Sequence, residues 1–231
     1  MANERKQLRG TVLAEDPRTE SFFRKLLVHL GFDQNRLRFR TAPKGRGSAS
    51  AWICAQYPGE VKLLRQKRHQ LGLFLIAVCD GDHDGFVHRQ ASLGDALRVA
   101  QLDQRQKNER IATPVPTWSI ETWLLALLGD DSVDENEKQK WNFEKRYPQK
   151  EEQQALCDAA QAWRNRADQV HPYRPSRMAK LNWEGSMPLE VVLGRRTAQA
   201  APVNLIIDRR STLESACQAC APSRTCIRIL E

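Results

Sequence analysis

Seven consecutive apolar residues, Leu73-Phe74-Leu75-Ile76-Ala77-Val78-Cys79, run without polar alternation into Asp80-Gly81-Asp82. A half-exposed strand alternates apolar and polar side chains. An unbroken run of strand length therefore calls for cover on both faces, as in a parallel sheet packed between helices. The acids that end the run would then stand at the strand's carboxyl end, and Gly81 permits the sharp turn that lets both leave it together. Carboxylate oxygens are the preferred ligands of Mg2+ and Mn2+. By itself, an acidic turn after a strand serves equally as a helix cap or a solvated loop.

The segments around this run extend the same pattern. Thr11-Val12-Leu13-Ala14 reads as a short buried strand ending at Glu15, and Asp16-Pro17 supplies a capping residue and a proline for the first helical position. Phe22, Phe23, Leu26, Leu27 and Leu30 then fall on one helical face, with Gly31 as the stop. Leu37 to Arg40 alternates apolar and basic residues, as a half-exposed strand would, and a Lys/Gly/Ser-rich loop follows from Ala42 to Ser50. A helix through Trp52, Val61, Leu63 and Leu64 to about Gln70 is expected to break near Pro58-Gly59. Ser92 with Asp95 gives a capping-box signature for a helix using Leu93, Ala96, Leu97 and Ala100. Ile111 to Trp118 reads as a strand that Pro114 and Pro116 push to a sheet edge, and Ser119 then caps a helix striped by Ile120, Trp123, Leu124, Leu127 and Leu128.

Strands alternating with helices imply an α/β fold with a mostly parallel sheet flanked by helices, whose sites collect at the strands' carboxyl ends. Residues 1–129 make up that domain. Residues 130–231 read as a mainly helical C-terminal extension: an acidic linker or exposed helix from Asp130 to Lys140, a helix from about Glu151 to Val170, an irregular stretch from Tyr173 to Pro188, and a last strand or helical turn at Val203 to Ile207.

Composition narrows the class. A chain of 231 residues, 41% of them hydrophobic, is long enough to bury a globular core. Its 36 Lys and Arg against 28 Asp and Glu give a formal charge of +8, which favours a polyanionic partner such as nucleic acid. The amino terminus lacks the apolar segment of a signal peptide, and no run approaches the roughly 18 apolar residues of a membrane span. Six cysteines in such a chain fit a reduced, cytoplasmic protein better than a disulfide framework, with no membrane partner expected.

Three pieces together resemble the TOPRIM domain, the metal-binding fold of topoisomerases, primases and the overcoming-lysogenization-defect (OLD) nucleases. They are Val12-Leu13-Ala14-Glu15 with the helix start Arg18 to Leu27, the strand ending in Asp80-Gly81-Asp82, and Trp118-Ser119-Ile120-Glu121-Thr122-Trp123-Leu124-Leu125-Ala126. The Ser-x-Glu running into a Trp-Leu-Leu helix is similar to OLD-type and small stand-alone TOPRIM proteins rather than to topoisomerases. The resemblance covers about Gly10 to Gly129. It departs where the family has a glycine straight after the first glutamate: Asp16-Pro17 stands there, and Glu20 falls one residue late, which leaves Asp16 as an alternative ligand.

The resemblance implies a Mg2+ or Mn2+-dependent endonuclease acting on DNA, in the setting of bacterial antiviral defence, with RNA as the other substrate class. Two-metal phosphodiester chemistry places its ions about 3.5–4 Å apart and needs several acids. Glu15, Asp80 and Asp82 would hold one ion, and Glu121 with Glu20 or Asp16 a second, with Ser119 as a hydroxyl ligand or cap. Lys180 is the candidate for the basic residue that OLD-like nucleases place at the scissile phosphate. The alternative is a non-catalytic nucleic-acid-binding or regulatory subunit, working beside a separate ATPase because the chain has no Gly-rich Walker motif of its own. A homo-oligomer is compatible with either, and a primase-like nucleotidyl transfer has only the shared metal site behind it.

Several other residues carry two readings. Asp84 is a peripheral ligand or a turn acid, and His83 and His88 are proton carriers or loop residues. Cys217, Cys220 and Cys226 suggest zinc, but a fourth ligand would have to come from the distant Cys157 or His171, so ordinary thiols are favoured. Trp118 and Trp123 are candidates to stack on bases, although Trp123 lies on the apolar stripe and reads as core. Lys62, Arg65, Lys67, Arg68, Arg195-Arg196 and Arg209-Arg210 are phosphate contacts in sum and a solvated face singly.

Overall fold

The computed structural model describes residues 7–168 apart from 46, 71, 107, 117, 135 and 136. It is an α/β structure. Strands β1 (Arg9–Ala14), β2 (Leu37–Thr41), β3 (Leu73–Ala77) and β4 (Ile111–Ala112) form one all-parallel sheet in the order β2-β1-β3-β4. Helices α1 (Pro17–His29), α2 (Ala49–Gln66), α3 (Gly85–Val99), α4 (Ile120–Leu127), α5 (Lys140–Arg146) and α6 (Gln149–Asp168) complete it. No helix among the described residues is long and apolar enough to cross a membrane.

Alternate strand residues feed two separate cores, which is why the central run has no polar positions. Val12, Phe74, Ile76, Val78 and Ala112 pack with α1, α4 and α6 through Phe22, Phe23, Trp123, Leu124, Leu156 and Trp163. Leu13, Leu75, Ala77, Cys79 and Ile111 face the other way, onto Ile53, Tyr57 and Val61 of α2 and Leu93 and Leu97 of α3. The first core does not stop at Gly129, because Phe143, Ala155, Ala159 and Ala160 all belong to it.

Three elements differ from the sequence expectation. Helix α2 runs unbroken through Pro58, because Ile53, Tyr57, Glu60 and Val61 are buried on both sides of the proline and hold both halves in place. Helix α3 starts at Gly85 rather than near Ser92, whose hydroxyl lies mid-helix and donates to the His88 carbonyl at 2.9 Å. Strand β4 is only Ile111–Ala112. Beyond it Pro114 and Pro116 have no N–H to give, so the pairing becomes one-sided. The N–H groups of Cys79, Gly81 and Asp82 donate to the carbonyls of Pro114, Pro116 and Trp118 at 3.3, 2.9 and 3.0 Å.

Phe143 tests how far the shared core reaches. Phe143→Ala at this fully buried position should cost about 3–5 kcal/mol. Denaturant unfolding should remain one transition with a lower midpoint. An early separate transition, with the main midpoint unchanged, would contradict a continuous core.

Candidate metal centre

The sheet order places a topological switch point between β1 and β3, since the chain leaves β1 for β2 on one side and returns to β3 on the other. In open parallel sheets the crevice at such a point, at the strands' carboxyl ends, is where ligands bind. Glu15 directly follows β1, and Asp80 follows β3 by three residues. The Val78 N–H extends the ladder by donating to the Leu13 carbonyl at 2.9 Å, and the Asp80 backbone N–H favours the charged form of Glu15. Adjacent parallel strands therefore deliver these two acids side by side.

Their electrostatics follow from that placement. Burial pushes the Glu15 carboxyl up from its ordinary 4.5 to about 7; Asp82 and Asp16 add to the rise, while the Arg89 guanidinium and the Asp80 N–H oppose it. Asp80 is pushed well above the carboxylate range, first by burial and then by the charges of Glu15, Asp16, Glu121 and Asp82. Glu15 Oε1, Asp80 Oδ1 and Ser119 Oγ are buried without a hydrogen-bond partner among the described residues. Buried polar atoms are ordinarily satisfied. Three orphaned oxygens in the neighbourhood of mutually repelling carboxylates are a donor set that fits a hard divalent cation, which would bond the oxygens and cancel the repulsion.

Arg89 organises the turn. It reaches back from the second turn of α3 with only 13% of its side chain exposed, and its Nη2 donates to Asp82 Oδ2 at 2.9 Å. Its Nε donates to the Asp80 carbonyl at 2.8 Å. Asp84 Oδ2 stands 3.6 Å from the same guanidinium and 3.6 Å from Nδ1 of the exposed His88. Asp82 itself takes the left-handed region at φ 46, as does Trp118 at φ 36, and the Asp82 N–H donates to the Trp118 carbonyl. A non-glycine residue in that region costs roughly 1–2 kcal/mol, so both are held there by the surrounding bonds.

The other expected ligands are engaged elsewhere. Glu121, 7% exposed, is held by Arg18, which also bonds Glu152 at 2.7 Å and Glu144 at 3.2 Å and lies over the Phe143 ring. Asp16 is the cap of α1, accepting from the Arg18 and Thr19 N–H groups at 2.7 and 2.9 Å and from the Thr19 hydroxyl at 2.8 Å. Glu20 takes a hydrogen bond from Thr41 and an ion pair from Arg24 at 2.6 Å. Burial works to raise its carboxyl, but those two bonds outweigh it and hold it below its ordinary value. Ser119 sits at the cap position of α4 without making the cap hydrogen bond. Among the described residues no three His, Cys, Asp or Glu side chains come together in a group that could hold a metal ion, and Asp82 and Glu121 are each paired with an arginine. Trp123 is core, and Cys157 lies 3.4 Å from the His29 ring. Lys180, His171, Cys217, Cys220, Cys226, Arg195-Arg196 and Arg209-Arg210 lie outside the described residues, as do the expected segments 173–188 and 203–207.

Arg89 and Arg18 are the residues that pattern reading misses. The signal for Arg89 is the start of α3 at Gly85, which puts it in the second turn, seven positions after Asp82. Nothing local marks Arg18, whose partner Glu152 is 134 residues away.

Glu15 also makes a prediction about pH. Its carboxyl titrates at 4.5 when unfolded and at about 7 when folded, so the folded chain holds the extra proton across that window. The stability it contributes is full below the lower value and lost as pH rises through the upper one, on the order of 3 kcal/mol in all. Asp80 acts with the same sign. Thermal midpoints in EDTA should fall between about pH 5 and pH 8, and Glu15→Gln should make the fall shallower. A wild-type midpoint rising through that window, or an equal slope in the variant, would contradict this electrostatic account.

Comparisons with family models, with curated proteins and with solved structures find no match to this chain, so its function is to be read from the site's own residues.

Proposed function

We propose that this chain is a Mg2+ or Mn2+-dependent, TOPRIM-like nuclease that cleaves DNA, with Glu15 and Asp80 as the principal carboxylate ligands. The observation that carries this reading is the set of orphaned oxygens of Glu15, Asp80 and Ser119 at the switch point of a parallel sheet. The charge of +8 on the whole chain supports a nucleic-acid substrate. The motif resemblance supports a role in antiviral defence, and the cysteine usage supports a reduced, cytoplasmic setting.

A bound divalent ion would supply Lewis-acid stabilisation of the phosphate and a more acidic water. The protein's own groups do the rest. In the metal-free site Glu15 titrates at about 7, and a bound cation would hold it ionised as a ligand. Arg89 fixes the Asp80 carbonyl and the Asp82 carboxylate, which keeps the acidic turn in one geometry. Asp82, 41% exposed, stands on the solvent side of Arg89 and is available to a ligand entering from outside. Arg18 holds Glu121 against α5 and α6, so Glu121 acts on the site through its charge on Asp80.

A second reading is favoured by that same clamp. With Glu121 paired to Arg18 and Asp82 to Arg89, a site reduced to two acids suits a nucleic-acid-binding or regulatory subunit beside a separate ATPase. The two readings separate in a cleavage assay on supercoiled plasmid, linear duplex, single-stranded DNA and RNA, with Mg2+, Mn2+ or EDTA. We expect metal-dependent cleavage of DNA, reduced by about a hundredfold or more in Glu15→Gln and in Asp80→Asn. Equal cleavage by wild type and both variants would refute the assignment. Salt-sensitive binding without cleavage would favour the regulatory subunit.

A further inference from the structure

The most conspicuous group beside the carboxylates that metal binding leaves unused is aromatic. Trp118 belongs to neither hydrophobic core, whereas Trp123 and Trp163 are buried in the first of them. It is half-buried, and a bulky residue at φ 36 occupies a backbone region that favours glycine, so the fold holds this ring where it is against a local preference. What holds it is the acidic turn itself, because the Trp118 carbonyl accepts the Asp82 N–H at 3.0 Å.

The next residue along that turn, the exposed His83, meets the indole edge to face with ring centroids 4.5 Å apart. On the same indole the exposed Lys138 ammonium stands 6.0 Å from the ring centroid. Ser119, with its orphaned buried hydroxyl, follows immediately. Two rings and a cation thus stand beside the turn that carries Asp80 and Asp82.

We infer that Trp118 and His83 form a stacking subsite for one unpaired base of a nucleic-acid strand, with Lys138 contacting that strand's phosphate. This rests on reading the neighbouring carboxylates as a nucleic-acid site, and it narrows the substrate to single-stranded or locally unpaired DNA. Chemistry favours a base over other flat ligands. Stacking on an aromatic face is tolerant of sequence because every base has a π-face, and the adjoining cation matches the backbone charge that accompanies it. A paired base would not serve, since both of its faces are already covered by neighbours in the duplex.

The test uses the full chain in EDTA, so that binding is read without cleavage. A short single-stranded deoxyoligonucleotide carrying one fluorescent base analogue is titrated by anisotropy and by quenching, beside a blunt duplex of the same sequence. Trp118→Ala should weaken single-strand binding by about tenfold and abolish the quench, Trp118→Phe should keep most of both, and duplex binding should change by less than about twofold. His83→Ala alters an exposed side chain and serves as the second variant, with a smaller loss of the same kind. Unchanged single-strand affinity and quench in both alanine variants would overturn the subsite, as would equal losses on single strand and duplex. A quench that depends on Trp118 in a protein that never cuts would uphold the subsite while refuting the nuclease reading. A cutting protein whose binding ignores Trp118 would do the reverse.

Discussion

Two half-buried carboxylates just beyond the ends of neighbouring parallel strands set the terms for the rest of this structure. The ladder between β1 and β3 fixes Glu15 beside Asp80, and the cores on the two faces of the sheet leave little water to solvate them. Burial raises both carboxyls, Glu15 to about 7, and the charge of Glu15 adds to the rise at Asp80. A folded protein ordinarily disposes of buried charge by pairing it. Here the pairing arginines fall one step outside: Arg89 on Asp82 and the Asp80 carbonyl, Arg18 on Glu121. The innermost oxygens remain open.

That arrangement links the site to distant parts of the chain. Arg18 is tied to Glu144 of α5 and Glu152 of α6, so the helices after Gly129 reach the rim of the centre through one side chain. Apolar packing does the same on a larger scale, with Phe143 and Trp163 in one core with Val12 and Ile76. On the other rim, two left-handed residues, Asp82 and Trp118, are bonded to each other and hold an aromatic pair at the mouth. Strain at such a place is affordable because Pro114 and Pro116 have already ended regular pairing there.

The α/β class was legible in the sequence because the constraint is local. Leu73 to Cys79 without a polar position admits few environments, and Asp16-Pro17 marks the start of α1 by capping chemistry. Glu15, Asp80 and Asp82 were legible as strand-end acids for the same reason. The continuity of α2 is not legible locally, because packing of Ile53, Tyr57 and Val61 overrides the local effect of Pro58. The start of α3 at Gly85 is masked in the sequence because Ser92 and Asp95 mimic a cap in mid-helix. The fates of Glu20 and Glu121 were not legible at all, since Thr41 and Arg18 reach them only through the tertiary fold.

A direct test of the central claim is a titration of the metal-free protein with Mn2+ at neutral pH, read by calorimetry or by the electron-spin signal of the free ion. The account predicts binding that Asp80→Asn and Glu15→Gln each weaken by about tenfold or more, with Glu20→Gln close to wild type. A wild-type protein that binds no Mn2+, or one whose affinity is untouched by Asp80→Asn, would contradict it.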